Sequence, residues 1–106
     1  MITPKMINAA HENAEKYKTD WVAAILNEME AKTALALAEH LAIVAGLEGS
    51  NVAERNARMA LDLQGEHMQL DAAALEVKAS RLLYDTAKLE LSRLRMIISL
   101  LDVEKK

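Results

Sequence analysis

The three histidines, His11, His40 and His67, are the side chains of this 106-residue chain best suited to binding a metal ion. A di-iron helical bundle uses a Glu three residues before His on two helices, together with two further inward carboxylates. The position three residues before each of these histidines holds Asn, Leu or Gln, so the motif is absent. The adjacent pairs Glu39-His40 and Glu66-His67 would project about 100° apart on a helix, which is poor geometry for chelation. We therefore expect no metal site and no cofactor.

Nucleophilic catalysis is equally poorly supported. The serines are Ser50, Ser80, Ser92 and Ser99. None lies in a glycine-flanked strand-to-helix turn, and no spacing suggests a Ser/His/Asp group. Gly46 and Gly49 lack the Lys and the preceding strand of a phosphate-binding loop. The chain has no cysteine, which excludes a thiolate nucleophile. We predict that the protein is not an enzyme.

A stripe of basic residues could follow a phosphate backbone. Its members are Lys78, Arg81, Lys88 and Arg95. However, Asp85 lies in the same stripe, the whole chain has a net charge of −3, and stacking aromatics are missing because Tyr84 belongs to an apolar register. A solvated helix face is the favoured interpretation, and nucleic acid is the less favoured partner.

Trp21 marks the point where the polar beginning of the first helix meets its apolar half. Exposed Trp side chains often anchor interfaces, whereas a Trp that caps the end of a helical core is equally ordinary. Both interpretations stay open. Together with the four basic residues, Trp21 forms the candidate surface for a second protein partner.

The last forty residues contain two apolar registers, and both lie on the same predicted helix. The first register is Met68, Leu75, Leu82, Leu89, Met96 and Val103. The second register is Leu70, Val77, Tyr84, Leu91 and Ile98. An offset of two residues places these stripes roughly 160° apart around a helix. One neighbouring surface cannot cover both, so the pattern predicts assembly with other copies or with a partner.

The composition favours an all-α fold in one domain over residues 1–106. Hydrophobic residues make up 52% of the chain and aromatic residues only 3%, with no Phe. Ala, Leu, Ile, Val and Met fill helical bundles, and three Gly with one Pro supply few turns for a sheet.

Local signals predict a long helical hairpin of three helices. Thr3-Pro4 begins a helix over about 4–45, because a capping hydroxyl precedes Pro at the first helical position. A loop follows over 46–50, in which Gly46 suits a left-handed C-cap and Leu47 the accompanying apolar contact. Asn51 and Glu54 form a capping box for a short helix over 52–63. A break near 64–67, at Gly65, precedes a helix over about 66–103.

The breadth of the apolar surface predicts an oligomeric helical bundle or coiled coil, most simply a dimer of hairpins. The candidate oligomer interface comprises Leu75, Leu82, Leu89, Met96, Leu70, Val77, Tyr84, Leu91 and Ile98 on the last helix, with Leu37, Leu41 and Val44 on the first. Pairing of the long helices within one chain and swapped pairing between chains are both open.

The apolar stretches are too short and too polar for a membrane span. The most apolar one, residues 34–47, contains Glu39 and His40. Residues 1–10 lack the basic and apolar regions of a signal peptide, and the absence of Cys fits a reducing compartment. We expect a cytoplasmic protein without a membrane partner.

One segment carries a family resemblance. Residues 49–55 follow the pattern Gly-x-Asn-x-x-Glu-Arg, and residues 94–101 are leucine-rich. Over about 25–103 the chain resembles small helical-hairpin proteins encoded by tailed bacteriophages. The resemblance implies a phage accessory protein in the host cytoplasm, with no chemistry assigned to any residue. Two alternatives to self-association stay open: a nucleic-acid-associated factor in replication or recombination, and an inhibitor of a host enzyme or defence system.

Overall fold

The computed structural model describes the backbone of residues 2–46 and 51–105, and the side chains of residues 2–46 and 51–102. Three helices occur in the order long, short, long: α1 Pro4–Val44, α2 Val52–Asp62 and α3 Gln64–Lys105. These described residues contain no strand. The predicted all-α class and the predicted order of helices are confirmed.

The two ends of α1 are set by the residues that the sequence indicates. The backbone N–H of Met6 donates to Thr3 Oγ1 at 3.2 Å, which confirms the N-terminal cap ahead of Pro4. At the other end Gly46 has a φ of +74°, and its N–H donates to the carbonyl of Ile43 at 3.2 Å. This left-handed residue ends the helix at small cost because glycine has no Cβ. The predicted contact of Leu47 lies outside the described residues.

The first of the two hydrogen bonds of the predicted capping box of α2 is present. Asn51 has an extended backbone, and its side-chain Oδ1 accepts the N–H of Glu54 at 2.8 Å. This bond satisfies one of the N–H groups that the first helical turn leaves unpaired. The second bond, in which the Glu54 carboxylate accepts the backbone N–H of Asn51, stays a prediction.

The break between α2 and α3 lies earlier than the sequence suggests. Leu63 is the residue between the two helices, and α3 already begins at Gln64, so Gly65 lies inside its first turn. Leu63 is also one of the buried side chains. The helix is therefore interrupted where an apolar side chain enters the core, and Gly65 has no positive φ.

The chain forms two compact units. Unit 1 comprises residues 1–23 and 77–106, and unit 2 comprises residues 24–76. In unit 1 the beginning of α1 lies antiparallel to the larger part of α3, so that Trp21 meets Tyr84. In unit 2 the rest of α1 lies beside α2 and the start of α3. The prediction of one domain stays a prediction.

Both cores are thin and rely on small side chains. The buried residues of unit 1 are Ala14, Ser80, Leu91 and Leu94; those of unit 2 are Ala24, Leu35, Leu63 and Ala73. Alanine at the contact lets helices approach closely but removes little apolar area from water per residue. Each unit therefore leaves much of its larger apolar surface uncovered.

Candidate association surface

The second register lies on the side of α3 that the fold covers. Leu91 is buried, and Val77, Tyr84 and Ile98 are half-buried in unit 1. In unit 2 Leu70 is half-buried as well. These side chains pack within their own chain, which is the arrangement expected for one side of a two-helix seam.

The first register lies on the opposite side of α3 and is exposed. In unit 1, Leu82, Leu89 and Met96 expose 67%, 72% and 65% of their surface. In unit 2, Met68 and Leu75 are similarly exposed. The side chain of Val103 lies outside the described residues. One chain thus covers one of the two apolar registers and leaves the other in solvent.

A second exposed apolar area lies on α1 within unit 2. Leu37, Leu41 and Val44, which the sequence places in the candidate interface, are all exposed, and Leu26 and Met29 precede them on the same helix. Leu26, Met29 and Leu37 line one shallow groove of about 430 Å³. All residues that line this groove belong to α1; the others are Glu30, Thr33 and Ala34.

One covered row of residues on α1 is not among the registers predicted from the sequence. The covered side of α1 contains residues 7, 14, 21, 28, 35 and 42, which repeat every seven positions. Alanine occupies two of these six positions and Glu another, so hydrophobicity alone does not single out the row. The seven-residue spacing, read together with Trp21, is the signal that could have found it.

Trp21 and Tyr84 form an aromatic cluster of two rings in unit 1, and Trp21 is half-buried rather than an exposed anchor. Its ring stacks on Tyr84, with centroids 5.7 Å apart and planes inclined by 26°. The guanidinium carbon of Arg81 lies 5.9 Å from the Trp21 ring centroid, and Lys88 Nζ lies 5.0 Å from that of Tyr84. Contacts of this kind between a cation and a ring contribute about 0.5–1 kcal/mol at exposed sites.

The four residues of the basic stripe therefore fall into two groups according to their contacts. Arg81 and Lys88 contact the rings of their own chain, and Arg81 also lies 3.8 Å from the Asp85 carboxylate. Lys78 and Arg95 are exposed, and neither forms an ion pair within the described part of the chain. The stripe thus presents two cations to solvent and two that cover the aromatic cluster.

The indole N–H of Trp21 is buried and has no hydrogen-bond partner among the residues that the structure describes. An unsatisfied buried donor costs about 1–3 kcal/mol, because the group has lost its bond to water. The stacking on Tyr84 and the burial of the large ring offset that cost.

We expect Trp21→Phe to change the free energy of unfolding by less than about 1 kcal/mol, since it removes the unpaired N–H and keeps a ring against Tyr84. Trp21→Ala should cost roughly 3 kcal/mol, because both the ring contact and its buried area are lost. Urea unfolding followed by circular dichroism measures both. A loss of more than about 2 kcal/mol for Trp21→Phe would contradict the unpaired state of the indole N–H.

Glu90 and Arg93 form the tightest ion pair among the described residues, with two hydrogen bonds of 3.0 and 2.7 Å between the guanidinium and the carboxylate. The hydrogen bond from Arg93 lowers the pKa of Glu90, and the same bond raises the pKa of Arg93. Both side chains are exposed. The pair fixes two charges at the edge of the exposed side of α3 and supplies no catalytic proton donor.

A groove of about 440 Å³ lies between α1 and α3 in unit 1. Its walls are mainly apolar, with Met6, Ala10, Leu83 and Leu94 among them. Ligand sites usually add a few convergent polar groups that fix orientation. Here Glu90 at the wall is engaged by Arg93, and the Thr86 hydroxyl donates to the carbonyl of Leu82. Asn13 and Tyr17 are the other polar side chains of the lining.

The described residues contain no group of three or more His, Cys, Asp or Glu side chains placed to hold a metal ion. In the same part of the chain, none of the helices has the length and apolar character needed to cross a bilayer. No protein-family model, curated protein or solved structure matches the chain.

Proposed function

We propose that this chain is a non-enzymatic helical protein that acts by association, first with a second copy of itself and then with another protein. The exposed first register of α3 carries the proposal. In unit 1 its three side chains, Leu82, Leu89 and Met96, follow one another at seven-residue intervals and are each about two-thirds exposed. Soluble monomers rarely expose a contiguous apolar patch of this kind without using it as an interface.

The accessible surface of the chain also supports association. It amounts to 8123 Å², whereas a globular monomer of 11.7 kDa exposes roughly 5,900 Å². An interface of standard size covers about 800 Å² on each partner. The chain can therefore bury an interface of that size and still expose more surface than an ordinary monomer.

The apolar area on α1 in unit 2 supports a second partner. Leu37, Leu41 and Val44 belong to a different helix from the first register and are exposed in their own right. A protein with two such areas can bind a copy of itself with one and another protein with the other. The phage accessory role implied by the resemblance belongs to this proposal as its biological setting.

Sedimentation equilibrium at micromolar concentration tests the proposal. We expect a mass of at least twice 11.7 kDa, because apolar surface of this extent drives association. The same sample in high salt should retain its mass, since burial of apolar surface is not screened by ions. A stable species of 11.7 kDa under both conditions would contradict self-association.

A further inference from the structure

The exposed side of α3 in unit 1 has a second row of residues beside the first register. Ala79 and Thr86 lie three residues before Leu82 and Leu89, and all four side chains are exposed. The resulting intervals of three and four residues are those of a coiled-coil seam. Small and large side chains alternate along it, so that a small residue of one helix can receive a leucine of another.

Charge at the edge of this seam is self-complementary. Lys78 and Asp85 lie seven residues apart on one edge, with their midpoint near Arg81. The midpoint of Ala79 and Leu82 falls within one residue of the same place. A two-fold axis near Arg81 would therefore bring Lys78 of each copy beside Asp85 of the other, and Ala79 of each beside Leu82 of the other.

Both charges are available for this pairing. Lys78 makes no ion pair with any other described residue. Asp85 lies 3.8 Å from Arg81, but both side chains are at least half exposed, so this contact is weak. The carboxylate of Asp85 keeps room for a second donor, because two oxygens can accept several hydrogen bonds.

A parallel arrangement lacks this complementarity. In a parallel coiled coil, a residue at the edge of the seam faces the residue five positions later on the opposite edge of the partner helix. Asp85 would then face Glu90 of the other copy, and two carboxylates would meet twice in the dimer, although each Glu90 keeps Arg93 of its own chain as a partner. The antiparallel arrangement replaces these repulsive pairs by two attractive ones.

We propose that α3 pairs with α3 of a second copy in antiparallel orientation, with the two-fold axis near Arg81, with Ala79 and Leu82 at the centre of the seam, and with Thr86 and Leu89 further along it. The pairing rests on the proposed self-association and specifies its surface and its direction.

Electron–electron distance measurements on spin-labelled protein test the direction. The chain has no cysteine, so Ser92→Cys or Ser99→Cys introduces a single label on the exposed side of α3. With a helical rise of 1.5 Å per residue, the antiparallel pair should give label separations of about 30 Å for position 92 and about 50 Å for position 99. A parallel pair in register would give the same short distance, roughly 10 Å, for both.

Charge reversal tests the pairing of Lys78 with Asp85. Lys78→Glu and Asp85→Lys should each weaken the dimer roughly tenfold, because each creates two like-charge pairs. The double variant should return to within roughly threefold of the parent, since the attractive pairs are restored with opposite polarity. Lys16→Glu, an exposed reversal on α1, is the matched control for net charge and should leave the dissociation constant unchanged.

The outcomes separate this inference from the proposed function. A dimer with equal short label distances, or with charge effects that do not compensate in the double variant, overturns the antiparallel pairing and leaves self-association standing. A mass of 11.7 kDa for the unmodified chain overturns both.

Discussion

Leu89→Asp is expected to convert the assembled protein into single chains that remain helical. In one chain Leu89 is 72% exposed, so a carboxylate at that position stays hydrated and disturbs the fold little. Inside an interface the same carboxylate would be buried without a partner, and a two-fold interface would contain it twice. We expect the dissociation constant to rise by at least roughly a hundredfold, which corresponds to about 2.7 kcal/mol.

Sedimentation velocity and far-ultraviolet circular dichroism measure the two parts of this expectation. The mass should fall to 11.7 kDa while the helical signal persists. Leu89→Met is the control, because a swap that conserves volume and apolarity should keep the assembly intact. If Leu89→Asp retains the parent mass, the second copy binds at another surface.

Leu91→Asp is expected to unfold unit 1. Leu91 exposes only 7% of its surface, and it lies in the core together with Leu94 and Ala14. An unpaired charge there costs several kcal/mol, while the whole free energy of unfolding of a small domain is about 5–15 kcal/mol. Two of the other buried residues of unit 1 are the small Ala14 and Ser80, so this core has little surplus stability with which to tolerate the loss.

Urea unfolding with circular dichroism checks the second expectation. Leu91→Asp should show a large fall in helical signal without denaturant, whereas Leu91→Met should cost less than about 1.5 kcal/mol. The two aspartate variants differ by only two positions and make the same chemical change on opposite sides of α3. A folded Leu91→Asp with the parent's midpoint would show that the second register is not the covered one.

Local features of the fold could be predicted because their causes are local. Thr3 with Pro4, Gly46 and Asn51 each act through their own side chain or backbone within one turn, and the structure places a helix end at each of them. The interruption between α2 and α3 lies at Leu63 rather than near Gly65, because Leu63 is buried in the core and burial depends on tertiary packing.

The orientation of α3 could not be predicted in the same way. Periodicity gives the angle between the two registers, but either one could have faced α1. The contact between Trp21 and Tyr84 places the second register inward. The positions of Arg81 and Lys88 over these rings depend on the same contact. The sequence pattern alone therefore does not indicate that two of the four basic side chains have partners within the chain.

The alanine content of the two cores limits how the protein can vary. Ala14, Ala24 and Ala73 are each at most 6% exposed, so a longer side chain at any of them has no free volume to enter. Adding methylene groups to a packed interior typically costs about 1–3 kcal/mol, because the neighbouring backbones must separate. Only small side chains are therefore tolerated at the buried alanine positions. The exposed leucines and methionines can exchange for one another with little effect on the folded chain.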